Sequence, residues 1–488
     1  MISAPSQVSL GFREAIRQAV QANPDLRRAG IDVRQAQQSV RQARGAFDTN
    51  LRAAVNYSGY KTLPVPGQFF STLRTDIFGF EVGVDQRLPT GGTVGLSLGT
   101  TLSRSEMLIS FSNPPEERTV PLWDTSLKLT VSHPLLKGIG LDVGLAPLRQ
   151  ARLRRDASRW ALVGRARAVL RDILKGYLDV YEAQEATGVS LAALTQARRE
   201  LRRAELFLTS GRLPESELVA YQLLVAQRER ELVETRTRWL TRSLDLLQLT
   251  GSPRAGQRVL IQAQLSGLPL RRIIPSLSVA KQLALASSTE LVGAQKQLQV
   301  AVISRKVARR NRLPSLDVNA SFGPLGQSDS IGKSYENMVR FRGLSWSVGL
   351  TFAYLVGNRA ARAAAQTASL GVSRELVTIE ELRRTLATTA ARTVALLEQA
   401  RELVRVVRSE VQLAELRVKN ERQRRESGRS TLFVIHEMEN TLVSARYKLL
   451  SARIAFLKGC ADLAALTGTL LSDLGVEARS ARLSMRGR

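Results

Sequence analysis

Few side chains in this 488-residue sequence could do chemistry, and their spacing limits what that chemistry is. The one cysteine, Cys460, cannot form a disulfide within the chain, and a thiolate metal cluster needs more than one. It reads as a small buried residue of the last helix. The two histidines, His133 and His436, lie far apart, which argues against a multi-histidine metal cage. His133 falls at a strand exit and His436 on a helix, where each reads as a packing or surface residue rather than a base. Gly332-Lys333-Ser334 comes after a predicted strand and resembles the end of a phosphate-binding loop. Such a loop needs four residues between its glycines, yet Gly326 to Gly332 encloses five, and the residues after Ser334 read as leading into another strand and not a helix. No catalytic constellation emerges, so the expectation is a protein that is not an enzyme and carries no cofactor and no metal.

Charge is the next constraint. Lysine and arginine number 71 against 43 aspartate and glutamate, a formal charge of +28, which makes nucleic acid or anionic lipid worth testing as a partner. Only 11 of the 71 are lysine, and arginine also fills solvated helix faces. A soluble, arginine-rich coiled-coil scaffold binding nucleic acid is the alternative class. Nucleic-acid binders concentrate charge in a patch or stripe, whereas Arg199-Glu200-Leu201-Arg202-Arg203-Ala204-Glu205 interleaves the signs, and no nucleic-acid partner is expected. No apolar run reaches the roughly 18 residues of a membrane-spanning helix.

The elements that must position any site come twice. At an offset of 265, Ala15, Ala19, Leu26, Ala29, Ala36, Ala43 and Leu51 match Ala280, Ala284, Leu291, Ala294, Ala301, Ala308 and Leu316. At an offset of 217, Ser210-Gly211-Arg212 matches Ser427-Gly428-Arg429, and Leu249-Thr250-Gly251 matches Leu466-Thr467-Gly468. A period this long is an internal duplication and not a solenoid. The first repeat covers 8–251, a linker 252–275, the second repeat 276–470, and a basic tail 471–488. Each repeat reads as a helix with a small-residue seam (11–46 and 276–312), strands (51–134 and 316–354) and a long helical hairpin (141–250 and 357–467). The rising arms, 141–209 and 357–426, are each about 100 Å long if helical. Helices of that length must pack laterally, as a coiled coil or helical barrel. Gly211 and Gly428 reverse the chain, Pro214 restarts a helix, and Leu-Thr-Gly closes both returning arms with glycine as a left-handed cap.

Six segments, at 51–57, 78–85, 94–99, 127–132, 316–322 and 346–352, alternate apolar with small or polar residues at period two. Tilted strands of about ten residues in a closed antiparallel barrel match an outer membrane, with the apolar set facing lipid. A soluble sheet with one buried face is the alternative. Two features favour the barrel. Long polar loops, 61–75, 104–122 and 325–343, alternate with the tight turn at 89–92, and Tyr57, Tyr60, Phe78, Trp123, Phe341, Trp346 and Tyr354 recur near strand ends as an interfacial aromatic belt would.

The chain resembles the outer membrane efflux protein (TolC-like) family. The resemblance rests on Ala22-Asn23-Pro24-Asp25-Leu26, on the strand exits His133-Pro134-Leu135-Leu136 and Leu355-Val356-Gly357-Asn358-Arg359, and on the two hairpins, and it covers roughly 10–472. It implies an α+β membrane protein: a homotrimeric outer-membrane β-barrel, continued by a long α-helical coiled-coil barrel in the periplasm. Its implied partners are a periplasmic adaptor (membrane fusion) protein, an inner-membrane pump and outer-membrane lipid, in an efflux or type I secretion system. Adaptor docking falls to the hairpin tips Gly211, Arg212, Leu213, Pro214 and Gly428, Arg429, Ser430, Thr431. A pore gate falls to acidic residues just inside the tips. Glu217 lies six residues after the first glycine, Val434 six after the second and Glu437 nine after it, so one acidic ring from Glu437 is expected and a double ring is not. Solvated helix-surface glutamate is the other reading of both. The first twenty residues lack the basic start and apolar stretch of a secretory signal, and a misassigned start or removed leader is expected over a cytosolic duct. The offset change leaves 48 additional residues in the first repeat, coincident with an extra hairpin at 77–103. Six strands per chain then imply either eighteen strands in the trimer or an accessory hairpin on twelve.

Overall fold

Asn23 and Pro24 divide the segment that reads as one helix over 11–46. Proline has no N–H to donate to the preceding turn, and the Asn23 side-chain oxygen instead accepts from the N–H groups of Asp25 (2.9 Å) and Leu26 (3.1 Å). Ser288 caps the equivalent break in 276–312 by accepting from Leu291 N–H at 3.1 Å. In this computed structural model, which describes residues 6–63, 70–109, 116–210, 214–265, 273–427, 429–479 and 482–485, the first part of the chain runs β1 (Ser6–Ser9), α1 (Phe12–Ala22), α2 (Pro24–Gly45), β2 (Asn50–Lys61), β3 (Phe70–Arg87), β4 (Thr93–Ile109), β5 (Glu116–Pro134), α3 (Leu141–Gly144), α4 (Ala146–Thr209) and α5 (Glu215–Thr250). The second part runs β6 (Val259–Gln262), α6 (Leu277–Ser287), α7 (Thr289–Arg310), β7 (Ser315–Ser328), α8 (Ile331–Val339), β8 (Gly343–Ala353), α9 (Arg359–Glu426), α10 (Leu432–Thr467), α11 (Leu470–Asp473), β9 (Val476–Arg479) and β10 (Arg482–Met485).

Two units result. The helical unit takes the chain up to Gln35, Asp156–Gln295 and the chain from Thr378. Its core gathers Phe12, Ile16, Leu170, Leu174, Tyr177 and Leu246. The seam alanines Ala15, Ala19, Ala280 and Ala284 are fully buried, because only a methyl group fits where helices approach this closely. The stretch 252–275 holds β6, a Val-Leu-Ile strand that pairs in parallel with β1. Its carbonyl at Ile261 accepts from the Trp239 indole at 2.9 Å. Past 471, α11 packs Leu470 and Leu471 into the same core, and β9 pairs with β10. Among the described residues, each stretch thus brings apolar side chains into the core, Val259, Leu260 and Ile261 from the first and Leu471, Leu474 and Val476 from the second. Gly251 and Gly468 end α5 and α10 at φ +68° and +81°, the left-handed cap that Leu-Thr-Gly implies.

The sheet unit takes Ala36–Arg155 and Lys296–Val377. Its six strands form one antiparallel sheet in the order β2-β3-β4-β5-β7-β8. The β3–β4 hairpin is not an appendage: β3 pairs with β2 along the whole of β2, and β4 pairs with β5 along its full length. Register carries the period-two alternation across every strand. Leu51, Val84, Leu96, Leu129, Phe322 and Trp346 are successive partners on one face, and that face is bare at the edge strands, with Leu51 72 %, Val55 63 %, Val348 71 % and Leu350 68 % exposed. The strands run longer than the patterned segments, so the loops at 61–75 and 104–122 shrink. Within 325–343 lies α8, packed on the apolar face. The Ser334 hydroxyl donates to Gly326 O (2.8 Å) and lies 2.9 Å from Thr125 Oγ1, from which it can accept, while Tyr335 OH bonds Thr100 Oγ1 at 2.8 Å. The expectation that no helix accompanies Gly332-Lys333-Ser334 is therefore corrected. Ser334 lies inside that helix with its hydroxyl committed to the sheet.

Candidate functional site

The two helical hairpins, α4–α5 and α9–α10, turn at the segments expected to dock a partner. Gly211, Arg212, Leu213 and Gly428 lie outside the described residues. Pro214 is the exposed N-cap of α5, Thr431 the exposed N-cap of α10, and the Arg429 N–H closes the end of α9 on Arg424 O at 2.9 Å. Just inside, Glu217 stands in the first turn of α5 and Glu437 on α10, both exposed. The structure brings them together: both line one cleft of about 590 Å³ with Gln227, Arg425, His436 and Asn440. Neither carboxylate has a hydrogen bond or ion pair among the described residues.

Behind this cleft is a cluster that the sequence reading missed. Glu200 of α4 and His436 and Glu439 of α10 each present one ligand-type atom within 4.8 Å of the others. His436 and Glu439 share a helix face by their three-residue spacing. The cluster is held from outside. Gln196 donates to Glu200 Oε1 at 2.6 Å, Arg422 to Glu439 Oε1 at 2.5 Å, and the Tyr221 ring meets the His436 ring edge-on at 5.7 Å. Arg425 spends a guanidinium N–H on Tyr221 OH at 3.2 Å, and Arg228 binds Glu231 at 2.8 Å as well as Asn440. Burial raises the Glu200 carboxyl above its ordinary range, and the Glu439 charge pushes the same way. Burial lowers the His436 imidazole, against the pull of Glu439. Arg425 and Arg228 lower it as well, so burial and the nearby guanidinium groups both favour the neutral imidazole.

On the sheet, register gathers some of the belt residues and separates others. Tyr57, Phe78, Leu102 and Trp123 are successive partners, so three of the aromatics form one row. Trp346 pairs with Phe322 on the same face. Tyr60 pairs with Thr75 on the opposite, polar face, because three residues from Tyr57 is an odd step along a strand. Phe341 stands exposed in the turn before β8 at φ +50°, and Tyr354 directly after β8. His133 belongs to the sheet unit, where its Nε2 is 3.1 Å from Thr90 Oγ1, at the β3–β4 turn. Cys460 is buried on α10 beside Leu397 and Leu463. Among the described residues, no helix is long and apolar enough to cross a membrane.

No family sequence model matches the chain, and no curated protein matches it. Solved structures do. The Campylobacter jejuni CmeC outer membrane channel superposes with a TM-score of 0.65 at 14 % identity, over 94 % of this chain and 86 % of that one. The outer membrane protein VceC of Vibrio cholerae gives 0.64 at 15 % identity, over 94 % and 96 %. The open state of the Neisseria gonorrhoeae MtrE outer membrane channel gives 0.63 at 15 %, over 96 % and 94 %. At such identities the likeness speaks for the fold, and it spans most of each chain: this protein has the fold of these outer-membrane channels.

Proposed function

We propose that three copies of this chain form the outer-membrane exit duct of a tripartite efflux or type I secretion assembly, a passive and gated path with no chemistry of its own. The observation that carries this reading is the sheet. It is antiparallel, apolar on one face at every strand, and bare along both edges, β2 and β8. Long apolar edges are an aggregation hazard in a free protein, and a closed barrel in lipid removes both edge and exposed face at once. With six strands alternating in direction, β8 of one copy meets β2 of the next antiparallel, so identical copies close without a mismatch. Because the β3–β4 hairpin is woven into the ladder, we favour eighteen strands in the trimer over twelve with an accessory hairpin. A second feature supports lateral association of copies. Leu396, Leu403, Val406, Leu413 and Leu416 leave α9 exposed at steps of seven and three residues, the recurrence of a coiled-coil seam.

In this reading the apolar face meets outer-membrane lipid, and the tips Gly211 to Pro214 and Gly428 to Thr431 meet a periplasmic adaptor. The inner-membrane pump supplies the energy. Glu437 forms the acidic constriction, with Glu217 beside it in the same cleft. The test is expression behind a working export signal, fractionation, and native mass determination of the detergent-extracted protein. An outer-membrane species of three times 53.7 kDa, about 161 kDa before detergent, is expected. A soluble monomer or dimer with no membrane fraction would overturn the reading.

A further inference from the structure

We propose that Glu200, His436 and Glu439 form a binding site for a divalent first-row transition metal ion, bridging the first helical hairpin to the second. The donor set is one imidazole nitrogen and two carboxylates, which suits zinc and its neighbours. Calcium and magnesium would take oxygen alone. Two of the donor atoms also lack any other use: His436 Nε2 and Glu200 Oε2 are buried with no hydrogen-bond partner among the described residues. Buried polar atoms are nearly always partnered, and a ligand is one explanation of the exceptions. Their neighbours are arranged as outer-shell groups are in metal sites. Gln196 holds Glu200 by its other oxygen, Arg422 holds Glu439, and the Tyr221 ring fixes the His436 plane.

The surrounding arginines do not forbid a cation. Arg228 is paired with Glu231, Arg422 with Glu439, and Arg425 reaches Tyr221. Access is open from two sides, since His436 lines the cleft of about 590 Å³ and Glu439 a second cleft of about 860 Å³. Donor separations of up to 4.8 Å must close to about 3.4 Å around a tetrahedral ion with bonds near 2.1 Å. Side-chain rotation on α4 and α10 can supply that. Three protein donors leave a fourth position for water.

The site does not depend on the duct reading, and neither does its test. Full-length protein, purified without a polyhistidine tag, is titrated calorimetrically with zinc chloride, and the zinc-loaded sample is examined by X-ray absorption. One zinc per chain is expected, in a shell of one imidazole nitrogen with oxygens. Glu200→Gln and His436→Ala should each weaken binding by at least ~100-fold, and the outer-shell Gln196→Leu by ~10-fold, in line with the effect of orienting groups. His133→Ala should bind as wild type. Zinc should also slow amide hydrogen exchange in 195–205 and 431–443 of wild type alone. Absence of binding, a shell without imidazole, or equal affinity in wild type and both ligand variants would overturn the proposal. The absorption spectrum of wild type decides the matter even if a variant misfolds.

Discussion

Gly251 is where a single residue bears most directly on the fold. Its φ of +68° is one that side chains rarely adopt, and a Cβ there would stand 2.7 Å from Ala22 O. Both the conformation and the contact are lost to any other residue, so Gly251→Ala should destabilise the protein by roughly 1–3 kcal/mol, read as a lowered thermal midpoint. Asn23 acts at the same junction from the other side, donating to Leu249 O at 2.7 Å while capping α2. The expected loss in Asn23→Ala is about 1–2 kcal/mol. For Glu437 the expectation is functional and not structural. Its carboxylate has no partner among the described residues to lose, so Glu437→Gln should leave the melting curve in place and reduce cation preference in planar-bilayer recordings. Unchanged selectivity would return Glu437 to the solvated helix surface.

At the scale of elements, the bare face of β8 offers the sharpest test of what the sheet is for. Val348 and Leu350 are edge-strand residues with partners on one side only, Ala320 and Val318. Val348→Arg should cost about 2–4 kcal/mol if that face meets lipid, with loss of the membrane fraction. In a soluble sheet the same exposed position would tolerate arginine. The strands were legible because period two is a strong signal when small and polar residues fill the alternate places, and the long helices because nothing interrupts them. Other elements were hidden for physical reasons. The segment of α8 is only nine residues long and follows the turn-like run Gly326-Gln327-Ser328-Asp329-Ser330, and it becomes a helix by resting Ser334 and Met338 on the sheet. Val259-Leu260-Ile261 is too short a run to distinguish a strand from a buried connection until β1 pairs with it. Of the Glu200 cluster the sequence shows only the three-residue spacing of His436 and Glu439, since only folding of α4 against α10 brings Glu200 to two residues more than two hundred positions away.

For the whole molecule the proposed trimer raises the question of how many strands would close its barrel, and register makes it answerable by deletion. Tyr57, Phe78, Leu102 and Trp123 form one row of partners, as do Leu51, Val84, Leu96 and Leu129. If residues 64–113 are removed and β2 is joined to β5 by a short turn, Tyr57 can face Trp123 and Leu51 can face Leu129. Every apolar residue then stays on the same side, and β2 and β5 already run in opposite directions. The shortened chain should fold as a four-stranded sheet and assemble into twelve strands where the full chain assembles into eighteen, as counted in electron-microscopy averages of the detergent-extracted trimers. Barrel diameter grows roughly linearly with strand number, so the deletion should narrow the mouth to about two thirds and exclude solutes that the full-length protein admits. Twelve strands in both proteins would mean that the β3–β4 hairpin leaves the ladder on assembly, and the eighteen-strand barrel would be abandoned while the duct itself stood.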